Sequence, residues 1–166
     1  MTHVSPTRWL FAVLFIALCV PAAQAQERGN DEARSSPNAT VSQTIGTTQV
    51  TITSGRPKVK GRTIFGDLVP YDTVWRTGAN EATTITFSDD VTVNGEPLDA
   101  GTYSLFTIPQ QERWTIIFNS VADQWGAYNY DDNEDVLRIS ASPETAGMHE
   151  MLTFVFEDVN DGTGTC

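Results

Sequence analysis

Residues 81–108, EATTITFSDDVTVNGEPLDAGTYSLFTI, decide the fold. In Glu81–Ser88 the side chains alternate, with Thr83, Ile85 and Phe87 on one face and Thr84 and Thr86 on the other, the period of a half-buried strand. Asp89-Asp90 turns the chain into Val91–Val93, Asn94-Gly95 is the dipeptide of a type I′ hairpin, and Asp99-Ala100-Gly101 turns it again into Thr102–Ile108. Returns this tight require antiparallel pairing.

The same period continues on both sides. Pro109–Glu112 leads into Trp114–Asn119, where Trp114, Ile116 and Phe118 alternate with Thr115 and Ile117, so both faces are largely apolar and the strand belongs inside a sheet. Upstream, Val41–Ile45 and Gln49–Ser54 form a hairpin through Gly46-Thr47-Thr48. Downstream, Val136–Ala141 and Glu150–Asp158 read as strands, the latter with Leu152, Phe154 and Phe156 on one face, and Tyr128-Asn129-Tyr130 reads as extended. Ser120–Gly126 reads as a loop or a single helical turn, and Asp131–Asp135 as an acidic turn. No helical period occurs beyond the first 25 residues. The expectation is an all-β fold: an antiparallel β-sandwich with Greek-key or jelly-roll-like connections, or a small open barrel.

Residues 1–25 carry the marks of an export signal: Arg8 before the apolar run Trp9–Val20, then Ala23-Gln24-Ala25 as a cleavage site before Gln26. A lipid anchor at Cys19 competes, but Leu18 stands where a small residue is usual. The predicted product is periplasmic or secreted, with a disordered leader over 26–40, a β domain over 41–159 and an irregular tail over 160–166. No transmembrane segment is expected after cleavage, and only Cys166 is left, so an intramolecular disulfide is excluded.

The formal net charge of the 166-residue chain is −11, becoming −12 once Arg8 is lost, which repels phosphate backbones and excludes nucleic acid as an expected partner. Lys58 and Lys60 are the sole lysines.

One segment departs from strand patterning. Gly61–Glu81 crowds Gly66, Pro70 and Gly78 together with Val74-Trp75 and the polar groups Arg76, Asn80 and Glu81, and reads as a specified loop. Arg76, Asn80 and Glu81 are either a polar cluster at a pocket rim or a scaffold, in which Arg76 pairs with Glu81 or satisfies carbonyls of the Gly61–Pro70 crossing, Gly78 supplies a positive φ, and Asn80 bonds its own backbone.

The runs Ser54–Arg62, Leu68–Tyr71, Val74–Thr83, Ala100–Leu105 and Trp125–Tyr128 resemble the bacterial family called domain of unknown function 2911, over roughly residues 41–158. The resemblance implies an exported, β-rich domain and brings no catalytic residue with it. Members usually continue past the Phe-Glu-Asp-Val segment into a further apolar strand, whereas here Val159 is followed by Asn160–Cys166. That difference leads us to expect an open sheet edge and self-association, through the edge or through Cys166.

The inventory narrows the chemistry. His149 is the one histidine beyond the signal and is expected at a strand end, so a serine-type triad has little to build on, and a structural zinc site lacks ligands. No cofactor fingerprint appears. Asp131, Asn133 and Asp135 offer oxygens at alternate positions, as a calcium loop does, but Val136 stands at the glycine position of that loop and Ser142 at its bidentate glutamate. Glu81, Asp123 and Glu157 could serve a hydrolase if folding brought them together. Among the aromatics, Trp75 and Trp114 sit at core positions, leaving Tyr103, Trp125 and Tyr128 as the stacking candidates. Two readings follow: a non-catalytic module binding a small molecule, a glycan or an envelope protein through Arg76, Asn80, Glu81, Tyr103, Trp125 and Tyr128, or a carboxylate-dependent hydrolase acting on glycans or other envelope substrates.

Overall fold

The structure, a computed structural model, describes residues 28–29 and 33–166. The expected export signal over 1–25, its expected cleavage point and part of the expected leader lie outside the described residues.

Six strands form one antiparallel sheet: β1 (Asn38–Ile45), β2 (Thr48–Gly55), β3 (Thr83–Phe87), β6 (Gly101–Ile108), β7 (Trp114–Asn119) and β8 (Asp135–Ala141), in that spatial order. Between β3 and β6 the chain makes a separate hairpin, β4 (Val91–Val93) and β5 (Glu96–Leu98). Asn94 and Gly95 hold φ of 50° and 88° at its turn, as a type I′ return requires. The all-β, antiparallel expectation holds, and the sheet does not close into a barrel. The expected Greek-key or jelly-roll connections are corrected to a meander: neighbours in the sheet are neighbours in sequence apart from the inserted hairpin.

Register explains the core. Val41 faces Ile52, Ile52 faces Ile85 and Ile85 faces Tyr103, while Leu105, Phe118 and Leu137 align across β6, β7 and β8. These rows share one face, because side chains alternate along each strand. They pack against Val91, Val93 and Leu98 of the hairpin and against Phe154 and Phe156. On the other face β1 and β2 share hydroxyl pairs, Thr40–Thr53 at 3.1 Å and Ser42–Thr51 at 2.9 Å. Beneath β6 and β7, Ala82, Phe106 and Ile117 form a second cluster, covered by Val74, Ala127 and Tyr130.

Two expectations are corrected. Glu150–Asp158 forms no sheet strand. Its alternation is real, since Phe154 and Phe156 enter the core, but its backbone makes isolated bridges, Lys58 with Met151 and Glu157 with Thr165. Tyr128 and Asn129 lie in a turn, not an extended run. β1 begins at Asn38, and Arg34 pairs with Glu81.

Candidate functional site

The chain between β2 and β3 leaves the sheet at Arg56 and returns at Glu81. Trp75 anchors it. The β3–β6 ladder ends at Thr83 and Leu105, and two residues further on Thr107 exchanges backbone bonds of 2.8 and 2.9 Å with Trp75. The start of the excursion is laced to the C-terminal segment: Val59 N–H donates to Glu150 O, Leu152 N–H to Pro57 O, and the Arg56 guanidinium to Leu152 O at 2.6 Å. Two glycines fix the return. A Cβ on Gly55 would lie 2.2 Å from Ala79 O, and one on Gly78 would lie 2.8 Å from Thr83 Oγ1, so both positions are set by close approach. Positive φ falls instead on Thr77 and Asn80, at 53° and 65°.

Between this excursion and residues 149–155 lies a cavity of about 900 Å³, within the roughly 300–1,000 Å³ range of ligand pockets. Phe65, Leu68, Val69, Trp75, Met151 and Leu152 give it apolar walls. Phe65 meets Trp75 and Trp114 edge to face, with centroids 5.9 and 4.6 Å apart. Basic groups complete the lining: Lys58, Lys60, Arg62, Arg76 and His149. Among the described residues no Asp or Glu lines it, although the chain holds 21 of them. Glu150 sits beside the wall, its carboxylate accepting from Lys60 N–H at 3.1 Å. The Arg62 guanidinium folds back onto Lys58 O and Val59 O, at 2.6 and 3.0 Å. Arg76 is different: its Nε is buried and has no hydrogen-bond partner among the described residues, an omission that costs about 1–3 kcal/mol. A second, smaller cavity of about 420 Å³ shares Phe65 and is walled by Tyr71, Gln110 and Trp114.

The sequence candidates separate. Arg76 and Asn80 line the larger cavity, with the Asn80 amide donating to Ser36 O at 3.2 Å and not to its own backbone. Glu81 pairs with Arg34 and not with Arg76: it is 4 % exposed, and its oxygens accept from Arg34 Nη1 at 2.9 and 2.7 Å. Arg28 donates to the adjacent Ala82 O. Burial pushes the Glu81 carboxyl up, but the hydrogen bond from Arg34 and the charges of Arg34 and Arg28 outweigh it and hold the group below its ordinary range. Tyr103 belongs to the core, its hydroxyl donating to Asp99 O at 2.8 Å. Trp125 and Tyr128 are exposed, at 56 % and 83 %, and stand outside the cavity wall.

Glu157 does not converge with Glu81, whereas Asp123 lies two residues before Trp125, the bridge partner of Glu81. Glu81 bridges Trp125 beyond the Gly55 end of β2, whereas Glu157 bridges Thr165, whose neighbour Gly164 packs on Ile45 at the opposite end. The length of β2 separates them, about 25 Å. The calcium candidates are drawn into a hydrogen-bond network: Asp131 caps the 3₁₀ turn Asp132–Glu134 through Asn133 N–H, and Asp135 accepts from Tyr130, Asn119 and Arg138. Tyr130 is pushed up to about 12 by burial and by its bond to Asp135.

His149, expected at a strand end, instead reaches the cavity wall, because the strand it was to begin is a bridge segment. The lysines were missed. Their signal was present, since both lie within nine residues of Ser54–Arg62 in a strongly acidic chain.

The fold and the cavity define the class: a single open antiparallel sheet, covered by irregular chain, with a basic and apolar pocket at one margin. Residues 36–166 match the family described as Protein of unknown function (DUF2911), and the chain belongs to that family. No curated protein and no solved structure matches the chain.

Proposed function

We propose that this protein is a non-catalytic, extracytoplasmic ligand-binding module and that the cavity between residues 57–80 and 149–155 is its binding site. The observation carrying this is the cavity itself, about 900 Å³ with apolar walls and five basic side chains at its lining. A small molecule buried there meets both an apolar surface and directional donors, which is how binding pockets are generally furnished. Mass spectrometry of the purified protein, intact under native conditions and after organic extraction, tests the reading. A small-molecule adduct that disappears on denaturation and reappears in the extract supports it; bare protein and an empty extract from every preparation would count against it.

Extracytoplasmic placement rests on the export pattern over residues 1–25. An intact mass that begins at Gln26 supports it, and a retained or lipidated Cys19 overturns the cleavage site. A second reading, contact with glycans, draws on the exposure of Trp125 and Tyr128. Quenching of tryptophan fluorescence by glycan oligomers, lost in Trp125→Ala, would favour it. The hydrolase reading has less to draw on, because Glu81 is ion-paired and Glu157 lies at the far end of β2.

A further inference from the structure

Resting on the cavity as the binding site, we infer that its ligand is an amphipathic organic anion, an aliphatic or aromatic chain ending in a carboxylate, with the acid group at Arg76 and the chain along Phe65, Leu68 and Trp75. Three observations carry this.

The first is charge segregation. The chain has 10 Lys and Arg against 21 Asp and Glu, yet Lys58, Lys60, Arg62 and Arg76 line one cavity that no acid lines among the described residues. None of the four is ion-paired: the two ion pairs among the described residues are Arg34–Glu81 and Arg138–Asp135, although the Arg62 guanidinium donates to Lys58 O and Val59 O. In a protein of net charge −11 such a spot focuses field toward a negative ligand.

The second is the Arg76 side chain. Its Nε is buried without a partner, and a guanidinium presents planar paired donors that match a carboxylate in a two-pronged bond. The backbone on either side is fixed, since Trp75 is bonded to Thr107 and Arg76 O accepts from Thr83 N–H at 3.2 Å. The backbone that carries the group is therefore set before a ligand arrives.

The third is the wall. Phe65 and Leu68 are 39 % and 51 % exposed although both are large and apolar, and they border the same space as Trp75 and Leu152. A bare inorganic anion would leave these groups wet, and a neutral oil would leave the basic groups unused. An amphipathic anion satisfies both.

Isothermal titration with sodium decanoate, decan-1-ol and inorganic phosphate tests the inference, using the chain from Gln26 onward and the variants Arg76→Gln and Lys58→Gln/Lys60→Gln. Decanoate is expected to bind at least about tenfold tighter than decanol or phosphate, and Arg76→Gln to weaken decanoate about ten- to a hundredfold, the range of a lost charge-assisted hydrogen bond, while leaving decanol unchanged. Because both lysines are exposed, their double variant keeps the fold and is expected to weaken decanoate several-fold and flatten its salt dependence, which keeps the test valid even if Arg76→Gln does not fold. Equal binding of decanoate and decanol, unmoved by either variant, overturns the anionic class while leaving the cavity as a site. Phosphate binding as tightly as decanoate overturns the amphipathic part. Binding of none of the three, by a protein that still melts cooperatively, overturns this inference; an adduct found by mass spectrometry would then leave the broader reading standing.

Discussion

Replacing Glu81 by glutamine removes one charge while keeping the shape of a side chain that is 4 % exposed. In the native protein its carboxylate takes Arg34 Nη1 at 2.7 Å, with the Arg34 side chain 23 % exposed. Breaking a buried pair costs about 3–5 kcal/mol, and since Arg34 can turn part of its guanidinium to water the lower end applies, about 3 kcal/mol. At roughly 4 °C per kcal/mol for a domain of this size, the melting temperature falls by about 12 °C. The pH dependence has a definite sign. The folded carboxyl is held below its ordinary value, so its contribution is present above the unfolded value of about 4.3 and is lost as the pH falls through the lower, folded one. Thermal melts of wild type and Glu81→Gln from pH 8 to pH 3, followed by circular dichroism, should therefore show a constant gap above about pH 5 that closes below about pH 4. A gap below about 1 kcal/mol at pH 7, the value of a surface pair, or one that persists undiminished at pH 3, would refute the reasoning.

Three further outcomes follow from named contacts. Asn80→Ala loses the amide bond to Ser36 O and places an alanine at φ 65°, which together cost about 2 kcal/mol, whereas Asn80→Gly recovers the backbone share; equal melting temperatures for the two variants would contradict this. Tyr130 should titrate near pH 12, seen as a late rise in phenolate absorbance that Tyr130→Phe removes, and its stabilising contribution, present below about pH 10, should fade as the pH climbs to that value; no tyrosine lagging the rest in the folded protein would sink it. Strands β1 and β8 are the sheet edges, so light scattering is expected to show concentration-dependent association insensitive to reductant; dissociation by reductant would assign it to Cys166, and a monomer at all concentrations would exclude it.

The strands were legible because alternation reports burial directly. Thr83–Phe87 and Trp114–Asn119 came out with the expected faces, and Asn94-Gly95 fixed its hairpin from two residues alone. Glu150–Asp158 shows the boundary of that signal. Its period says which side chains are buried, as Phe154 and Phe156 are, but not whether a neighbouring strand stands ready to pair with its backbone. The site was harder to read, because it joins residues 57–80 to 149–155 and sequence spacing carries no distance across such a join. Arg76 and Asn80 were picked from the loop's own chemistry, while Glu81 was assigned the wrong arginine because Arg34 approaches from 47 positions upstream. Tyr103 resembled a stacking residue until register placed it beside Ile85 and Phe118.

Hydrogen exchange of the free and decanoate-saturated protein, read peptide by peptide, tests the central claim most directly, because it locates the ligand as well as detecting it. The account predicts new protection in peptides spanning residues 57–80 and 149–155, with 121–128 unchanged. Protection gained at 121–128, around the exposed Trp125 and Tyr128, with the cavity peptides unaffected, would contradict it.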